Sequence, residues 1–217
     1  LTAMKIIYPI LLLTLLLGAC GEVEKPSISL YLASQRGDIE QIERHIKWGS
    51  DINALDKDGN APLHVAAQKG RIAIAQLLLK HGADINLKSS RGYTPVHYAI
   101  LAGRTRLADL LLQRGADIDP SNLLLEAAHR DIPDRDAIIY LAAQGADLET
   151  RDAQGDTALI IAIRQGNHRL ARHLVAEGAD VNTEDAGGKK AIEIAKQAGL
   201  RDIAQLLKRQ GAESNEE

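Results

Sequence analysis

The sequence of 217 residues contains no phenylalanine and a single cysteine, tryptophan and methionine. A core without phenylalanine must be built from leucine, isoleucine, valine and alanine, and small side chains suit closely stacked helices. One cysteine, Cys20, excludes an internal disulfide and leaves a free thiol, an intermolecular bridge or a modified residue. The net charge is −3, and lysines and arginines are interspersed with acids rather than clustered. Nucleic acid is therefore not expected as a partner.

The amino-terminal segment has the pattern of an export signal. We take Met4 as the start, followed by one positive charge at Lys5 and by twelve residues of mostly apolar type at 6–17. A helix needs about 20 apolar residues to cross a bilayer, so this run is too short for a membrane span and fits the hydrophobic region of a secretory signal. We expect residues 1–19 to be a signal peptide.

The end of that signal is more specific than an ordinary cleavage site. Leu17-Gly18-Ala19-Cys20 resembles the lipobox of bacterial lipoproteins, in which the cysteine thiol is acylated and the leader is cut just before it. The resemblance implies a lipid anchor at Cys20, and the absence of aspartate at position 21 favours the periplasmic side of the outer membrane. The alternative is a signal peptide with a cysteine near its cleavage site by chance. Residues 20–28 are expected to form the lipidated tether.

A Gly-Ala-Asp tripeptide recurs through the rest of the chain. The copies, two of them degenerate, begin at Gly49, Gly82, Gly115, Gly145, Gly178 and Gly211. Successive copies are 33, 33, 30, 33 and 33 residues apart. A fixed period in this range is typical of a solenoid, in which each repeat packs only against its neighbours.

Each repeat carries signals for two short helices. Thr94 followed by Pro95 predicts a helix start, because the hydroxyl can accept a hydrogen bond from a free backbone N–H and proline has no amide hydrogen to leave unpaired. A glycine that ends the first helix recurs at Gly70, Gly103, Gly166 and Gly199. The second helix of one repeat has an apolar stripe at three- and four-residue spacing, formed by Ile72, Ile74, Ala75, Leu78 and Leu79.

Two hexapeptides identify the type of repeat. Residues 61–66 read Ala-Pro-Leu-His-Val-Ala, and residues 94–99 read Thr-Pro-Val-His-Tyr-Ala. Both resemble the core motif of ankyrin repeats, which also have a period of 33 residues. The resemblance implies an all-α solenoid of about six helix-turn-helix repeats with short β-turn fingers over residues 29–213. The expected repeats span residues 29–53, 54–86, 87–119, 120–149, 150–182 and 183–213, and residues 214–217 form a tail.

The terminal repeats are expected to act as caps. The first lacks the finger and the hexapeptide, and the last has a more polar final helix, as a capping repeat requires. Trp48 ends the second helix of the first repeat, where it serves either structural packing or recognition of a partner.

The fourth repeat departs from the pattern. It has five residues fewer between Asp119 and the pair Ala127-Ala128, and its helix–helix turn is about two residues longer. We therefore expect a missing finger and an enlarged charged turn, either as a notch for a partner or as drift in a tolerant repeat. The spacing of His129, Asp131, Asp134 and Asp136 matches no metal-ligand motif, so a solvated turn is expected there.

The sequence indicates a protein that binds other proteins and catalyses no reaction. It contains no nucleophile elbow, P-loop or zinc-protease motif, so no catalytic residue, metal or cofactor is predicted. The resemblance implies that His64 and His97 hydrogen-bond within and between loops, and that finger tips and first helices contact the partner. The predicted contact residues are Lys57, Asp58, Asn60, Gln68, Lys69, Arg91, Tyr93, Leu101, His129, Arg130, Gln154, Asp156, Arg164 and Gln165.

Among these residues, Arg91 and Tyr93 are the main candidates, because an exposed tyrosine beside an arginine is typical of binding hot spots. The expected partner is a protein, the expected membrane contact is the lipid at Cys20, and the chain is expected to be a monomer. Two roles remain open. The protein is an adaptor or scaffold for a periplasmic enzyme, or an immunity protein that neutralises a toxin delivered into the periplasm.

Overall fold

The computed structural model describes residues 24–130 and 135–213. The signal peptide, Cys20, Asp131, Asp134 and the tail at 214–217 lie outside these ranges. Within the ranges the chain forms twelve α-helices, and the only extended pairing consists of two isolated antiparallel bridges, Arg151–Thr157 and Glu184–Lys190. The all-α fold predicted from the sequence is confirmed.

The helices form six consecutive hairpins. They are α1 (Leu30–Arg36), α2 (Ile39–Trp48), α3 (Pro62–Lys69), α4 (Ile72–Lys80), α5 (Pro95–Leu101), α6 (Thr105–Gln113), α7 (Pro120–His129), α8 (Arg135–Ala143), α9 (Ala158–Arg164), α10 (His168–Ala176), α11 (Ala191–Gln197) and α12 (Arg201–Arg209). None of these described helices is long and apolar enough to cross a bilayer.

The apolar core runs along the whole array. One leucine in each of five second helices is 0% exposed, namely Leu78, Leu111, Leu141, Leu174 and Leu207. In the first repeat the same register position is His45, which is buried and hydrogen-bonds Ile28 O at 2.7 Å and Ser50 Oγ at 2.8 Å. A histidine at this position lets the first repeat end the core with a satisfied polar group, as an amino-terminal cap requires. Trp48, in contrast, is 50% exposed.

The predicted helix ends are present, but one predicted cap is wrong. Gly70 follows α3 with φ of 70°, a left-handed conformation that glycine adopts without strain. Thr94 precedes α5 with extended backbone, yet its hydroxyl makes no capping bond to a backbone N–H. It lies 2.7 Å from His97 Nδ1 instead, so the Thr94 side chain fixes a ring rather than the helix end. Thr157 does accept from Ile160 N, as expected for such a cap.

A ladder of side chains ties successive repeats together. Asn53 Oδ1 accepts from Asp84 N, and Asn86 Oδ1 accepts from Asp117 N one repeat later, both at 2.9 Å. The next position in the ladder is Asp119, which instead caps α7 by accepting from Ser121 N and Asn122 N. The ladder continues two residues further on, because Ser121 Oγ accepts from Asp147 N at 2.9 Å.

Candidate protein-binding surface

Four turns, which we call fingers, precede first helices of the array. They comprise residues 56–60, 89–93, 152–156 and 185–189, and each is closed by a bond from the N–H of its first residue to the carbonyl of its fifth at 2.8–3.0 Å. Neighbouring fingers stack closely. Ser90 N donates to Gly59 O at 2.9 Å, and a Cβ added to Gly59 would lie 1.9 Å from Ser90 Oγ. Glycine is therefore required where one finger meets the next.

The fourth repeat has no finger, as its sequence predicts. Six residues join α6 to α7, whereas 13 join α2 to α3 and 14 join α4 to α5, α8 to α9 and α10 to α11. The effect of the missing finger is seen at Gly92, which occupies the same position in the 89–93 finger as Gly59 does in the 56–60 finger. Among the described residues, nothing lies within 4 Å of a Cβ added to Gly92. Within the part of the chain that the structure describes, one side of the 89–93 finger is therefore left uncovered.

A cleft of about 130 Å³ lies beside this uncovered finger. It is lined by the finger, by residues of α5 and by the carboxyl-terminal ends of three first helices, specifically Gln68, Arg91, Tyr93, Tyr98, Leu101, Ala102 and Arg130. Five of the predicted contact residues, Gln68, Arg91, Tyr93, Leu101 and Arg130, thus come together from three repeats. The cleft also includes Tyr98, which the sequence did not predict as a contact residue.

Arg130 bridges the position of the missing finger. Its guanidinium carbon lies 4.5 Å from the centroid of the Tyr93 ring, and Nη2 donates to the Tyr93 hydroxyl. Nε donates to Glu126 Oε1 at 3.0 Å, one turn earlier on α7. A cation over an aromatic face contributes about 0.5–1 kcal/mol at an exposed site. The Arg130 side chain is therefore held in one place by three contacts.

The predicted pairing of Tyr93 with Arg91 needs correction. Tyr93 is half-buried rather than exposed, and its ring also contacts His97 and Tyr98 at centroid distances of 5.9 and 6.1 Å. The arginine that contacts the ring is Arg130, 37 residues further along the chain. Arg91 is exposed and has no hydrogen-bond or ion-pair partner among the described residues. The two main candidates therefore have different roles, one in the cleft wall and one free at its edge.

A second group of predicted residues links the fourth and fifth repeats. His129 Nε2 lies 2.9 Å from Asp152 Oδ2, and Gln165 Nε2 donates to His129 O at 3.2 Å. Burial would raise the pKa of Asp152, but backbone N–H groups of Asp156 and Gln154 and the His129 ring outweigh it and hold the pKa below its usual value. His129 and Gln165 belong to this network and are nevertheless exposed, as is the neighbouring Gln154, so all three can be reached by a partner.

Asp156 was predicted to contact a partner, but the structure places it in the interior. It is 4% exposed, because its carboxylate turns inward and pairs with Arg164 Nη1 at 2.8 Å. Burial raises its pKa, and the Arg164 charge opposes that shift. Arg164 also reaches Asp185 at 2.7 Å, so this exposed arginine joins two successive fingers. Asp156 is part of the framework and cannot reach a partner.

The remaining predicted contacts lie on the second repeat. Lys57, Asp58 and Lys69 are exposed, whereas Asn60 is half-buried and accepts from the Tyr98 hydroxyl at 2.6 Å. Lys57 lines a larger groove of about 360 Å³ between the first helix and the 56–60 finger, together with Tyr31 and the 48% exposed Leu55. The sequence pattern does not predict this groove, because Tyr31 and Leu55 lie outside any repeat motif.

The two periodic histidines have structural roles of different strength. His64 is 1% exposed, accepts from Ala61 N and contacts the carbonyls of Leu87 and Tyr93 at 2.9 and 3.0 Å. His97 is half-buried and hydrogen-bonds Thr94. Burial lowers the pKa of both rings. Within residues 24–130 and 135–213, no three His, Cys, Asp or Glu side chains are grouped to hold a metal ion.

Comparison with known proteins agrees with this architecture. The sequence profile of ankyrin repeats (three copies) matches residues 30–122 and 124–217. No curated protein sequence matches the chain.

Three solved structures are similar over most of the chain. The first is a chain in the structure of the predatory endopeptidase Bd0816 from Bdellovibrio bacteriovorus in complex with the immunity protein Bd3460, with 27% identity and a TM-score of 0.66 over 85% of this chain and 99% of that chain. The second is the ankyrin repeat domain ABAYE2397 from Acinetobacter baumannii, with 29% identity and a TM-score of 0.64 over 85% and 98%. The third is the ankyrin repeat protein EF0377, with 29% identity and a TM-score of 0.64 over 83% and 96%.

Proposed function

This chain belongs to the ankyrin-repeat family, and we propose that it is a lipid-anchored periplasmic protein that binds an enzyme and neutralises it. Ankyrin repeats indicate protein binding, and their fold is typically non-catalytic. The enzymatic chemistry therefore belongs to the partner, and this protein supplies a surface.

The geometry supports binding through the cleft and the neighbouring fingers. Arg91, Gln68 and Leu101 come from two repeats and converge on the cleft, and Arg130 comes from a third. Their positions are set by a stacked core and by hydrogen bonds between fingers, so the surface exists before a partner arrives. A preformed surface loses less conformational entropy on binding than a mobile one.

The observation that favours neutralisation is the similarity to a chain of an endopeptidase–immunity protein complex. That chain is matched over 99% of its length, so the shared solenoid extends over all of it. The identity of 27% supports a related mode of use without specifying the partner. An adaptor that holds a resident enzyme near the membrane uses the same surface, and the two roles differ in whether the bound enzyme stays active.

The lipid anchor at Cys20 is part of the proposal and rests on the lipobox. First-repeat helix α1 begins at Leu30, ten residues after Cys20. Ten residues span at most about 35 Å when fully extended, because each contributes at most ~3.5 Å. Such a tether keeps the array close to the membrane, where an incoming enzyme must pass.

Co-expression tests the proposal. A secreted hydrolase encoded next to this gene is exported to the periplasm of a laboratory host, with and without the full-length protein. If the protein neutralises the hydrolase, a host that exports the hydrolase should survive only when it also makes the full-length protein. The purified 1:1 complex should then have lost hydrolase activity. An active enzyme within a stable complex would identify an adaptor instead, and the absence of any complex would refute both roles for that enzyme.

A further inference from the structure

The cleft beside the missing finger is a cationic site. Two of its lining residues, Arg91 and Arg130, are arginines, and none is acidic. Glu126 pairs with Arg130 Nε from outside the lining and balances one of these two positive charges. Arg91, Arg130 and Glu126 together give the described residues at this cleft a net charge of +1 on the surface proposed for binding.

The guanidinium of Arg130 is fixed in position and has N–H donors left for a ligand. Contacts to Glu126 and Tyr93 use two of the five N–H donors that a guanidinium carries. The Tyr93 ring under the guanidinium and the short bridge to α7 fix its plane. A ligand therefore meets an arginine whose rotamer entropy has already been lost.

Arg91 stands at the edge of the same cleft with no partner among the described residues. It is exposed on the finger whose neighbour is missing, so no following finger covers it. The structure gives Arg91 no role in holding the fold together. Its charge is accordingly available to a binding partner.

The size of the cleft restricts what can enter. Its volume is about 130 Å³. Pockets for drug-sized ligands measure roughly 300–1,000 Å³, so this one accommodates a single side chain. Leu101 and Ala102 provide an apolar wall for a short aliphatic stem, and the arginines provide donors for its polar end.

The geometry points to an aspartate or glutamate side chain of the partner protein as the occupant of this cleft, seated between Arg91 and Arg130. Arginine donors match carboxylate oxygens in geometry, and charge-assisted hydrogen bonds of this type are the strong ones. This inference rests on the proposed function, because it assigns the chemistry of the partner group that the surface recognises. The partner thus presents an acidic residue on a protrusion that enters where the fourth finger is absent.

The test uses two defined peptides instead of the partner. They are acetyl-Gly-Ser-Glu-Ser-Gly-amide and the same peptide with glutamine in place of glutamate. Each is titrated into the full-length protein in detergent micelles, and the Arg130 Nε–H and Tyr93 ring signals are followed by NMR. We expect saturable shifts with the glutamate peptide and affinity lower by about tenfold or more for the glutamine peptide, which cannot make charge-assisted bonds.

Two variants locate the site. Arg91→Gln should weaken glutamate-peptide binding by about tenfold, because it removes a charged donor. Arg114→Gln is the matched control, since Arg114 is an exposed arginine that follows α6 outside the cleft, and it should leave the affinity unchanged. Equal binding of both peptides, no saturable shift, or equal effects of the two variants would overturn the assignment. Because no partner enzyme is involved, such a failure would leave the neutralisation assay unaffected.

Discussion

Replacing His64 by alanine should weaken the junction between the second and third repeats more than any comparable change at His97. The Ala61 N–H can only donate, so His64 Nδ1 must accept, and the proton of the neutral ring lies on Nε2. Nε2 then donates to the carbonyls of Leu87 and Tyr93, both in the next repeat. One ring thus connects the start of α3 to the 89–93 finger and the residues that precede it.

The expected loss follows from the groups left without partners. Tyr93 O also accepts from Ser89 N, so truncation leaves chiefly the Ala61 N–H and the Leu87 carbonyl unpaired. Each buried unpaired group costs about 1–3 kcal/mol, which gives roughly 2–6 kcal/mol for His64→Ala. His97 makes a single bond, to Thr94, whose loss costs about 1 kcal/mol. Both variants also lose ring packing, and the 1% exposed His64 ring loses more of it than the half-buried His97 ring, so packing adds to the difference in the same direction.

The assay is urea denaturation of both variants, followed by circular dichroism and by hydrogen exchange of the individual helices. A solenoid is stabilised by contacts between nearest neighbours, so a weakened junction should let α1–α4 open separately from the rest of the array. We expect faster exchange in these four helices for His64→Ala. Equal destabilisation by the two variants, or uniform exchange along the array, would refute the role assigned to His64.

Three further changes test other parts of the structure. Leu78→Ala should lower the free energy of unfolding by about 2–5 kcal/mol, because it opens a cavity at a 0% exposed position. In the same urea denaturation, the control Gln76→Ala at an exposed position should lower it by less than about 0.5 kcal/mol. Because burial lowers the pKa values of His64 and His97, the unfolded chain binds more protons than the folded chain below about pH 6.5. The free energy of unfolding should therefore be constant above neutral pH and fall by up to about 1.4 kcal/mol per pH unit and histidine between pH 6.5 and 5.5. Denaturation at each pH measures this, and a free energy of unfolding that rises between pH 6.5 and about 5.5 would show that burial does not lower these pKa values. Cys20→Ser should move the protein out of the membrane fraction on sedimentation, and continued sedimentation with membranes would count against lipidation.

Local signals were sufficient to predict the fold because repeat structure depends on contacts between neighbours. Glycine after four of the first helices, proline at position 95 and an apolar stripe on the second helix each act within one turn of chain. The missing finger was also predictable, since it follows from counting residues between Asp119 and Ala127. Thr94 was misassigned because its hydroxyl has two possible partners in reach, a backbone N–H and the His97 ring, and the local pattern does not choose between them.

The binding surface was less predictable because it depends on side-chain contacts that no repeat motif specifies, some of them between residues more than 30 positions apart. Nothing near Tyr93 in the sequence indicates that Arg130 covers its ring, since the two residues are 37 positions apart and meet at the place of the missing finger. Asp156 occupies a position equivalent to Asn60, yet it turns inward because Arg164 offers a charged partner one helix away. A period of 33 residues assigns positions to a surface, and the neighbouring side chains decide which of them remain exposed.

The fourth repeat shows how an array can open its surface without interrupting its stack. Loss of the finger removes the usual turn before α7, and with it the neighbour that would cover Gly92. Asp119 then caps α7, and Ser121 takes over the bond to the next repeat that asparagine makes at positions 53 and 86. Connection between repeats and coverage of the binding face therefore depend on different side chains. A deletion that would break a globular core here leaves the core continuous and exposes an arginine-lined cleft.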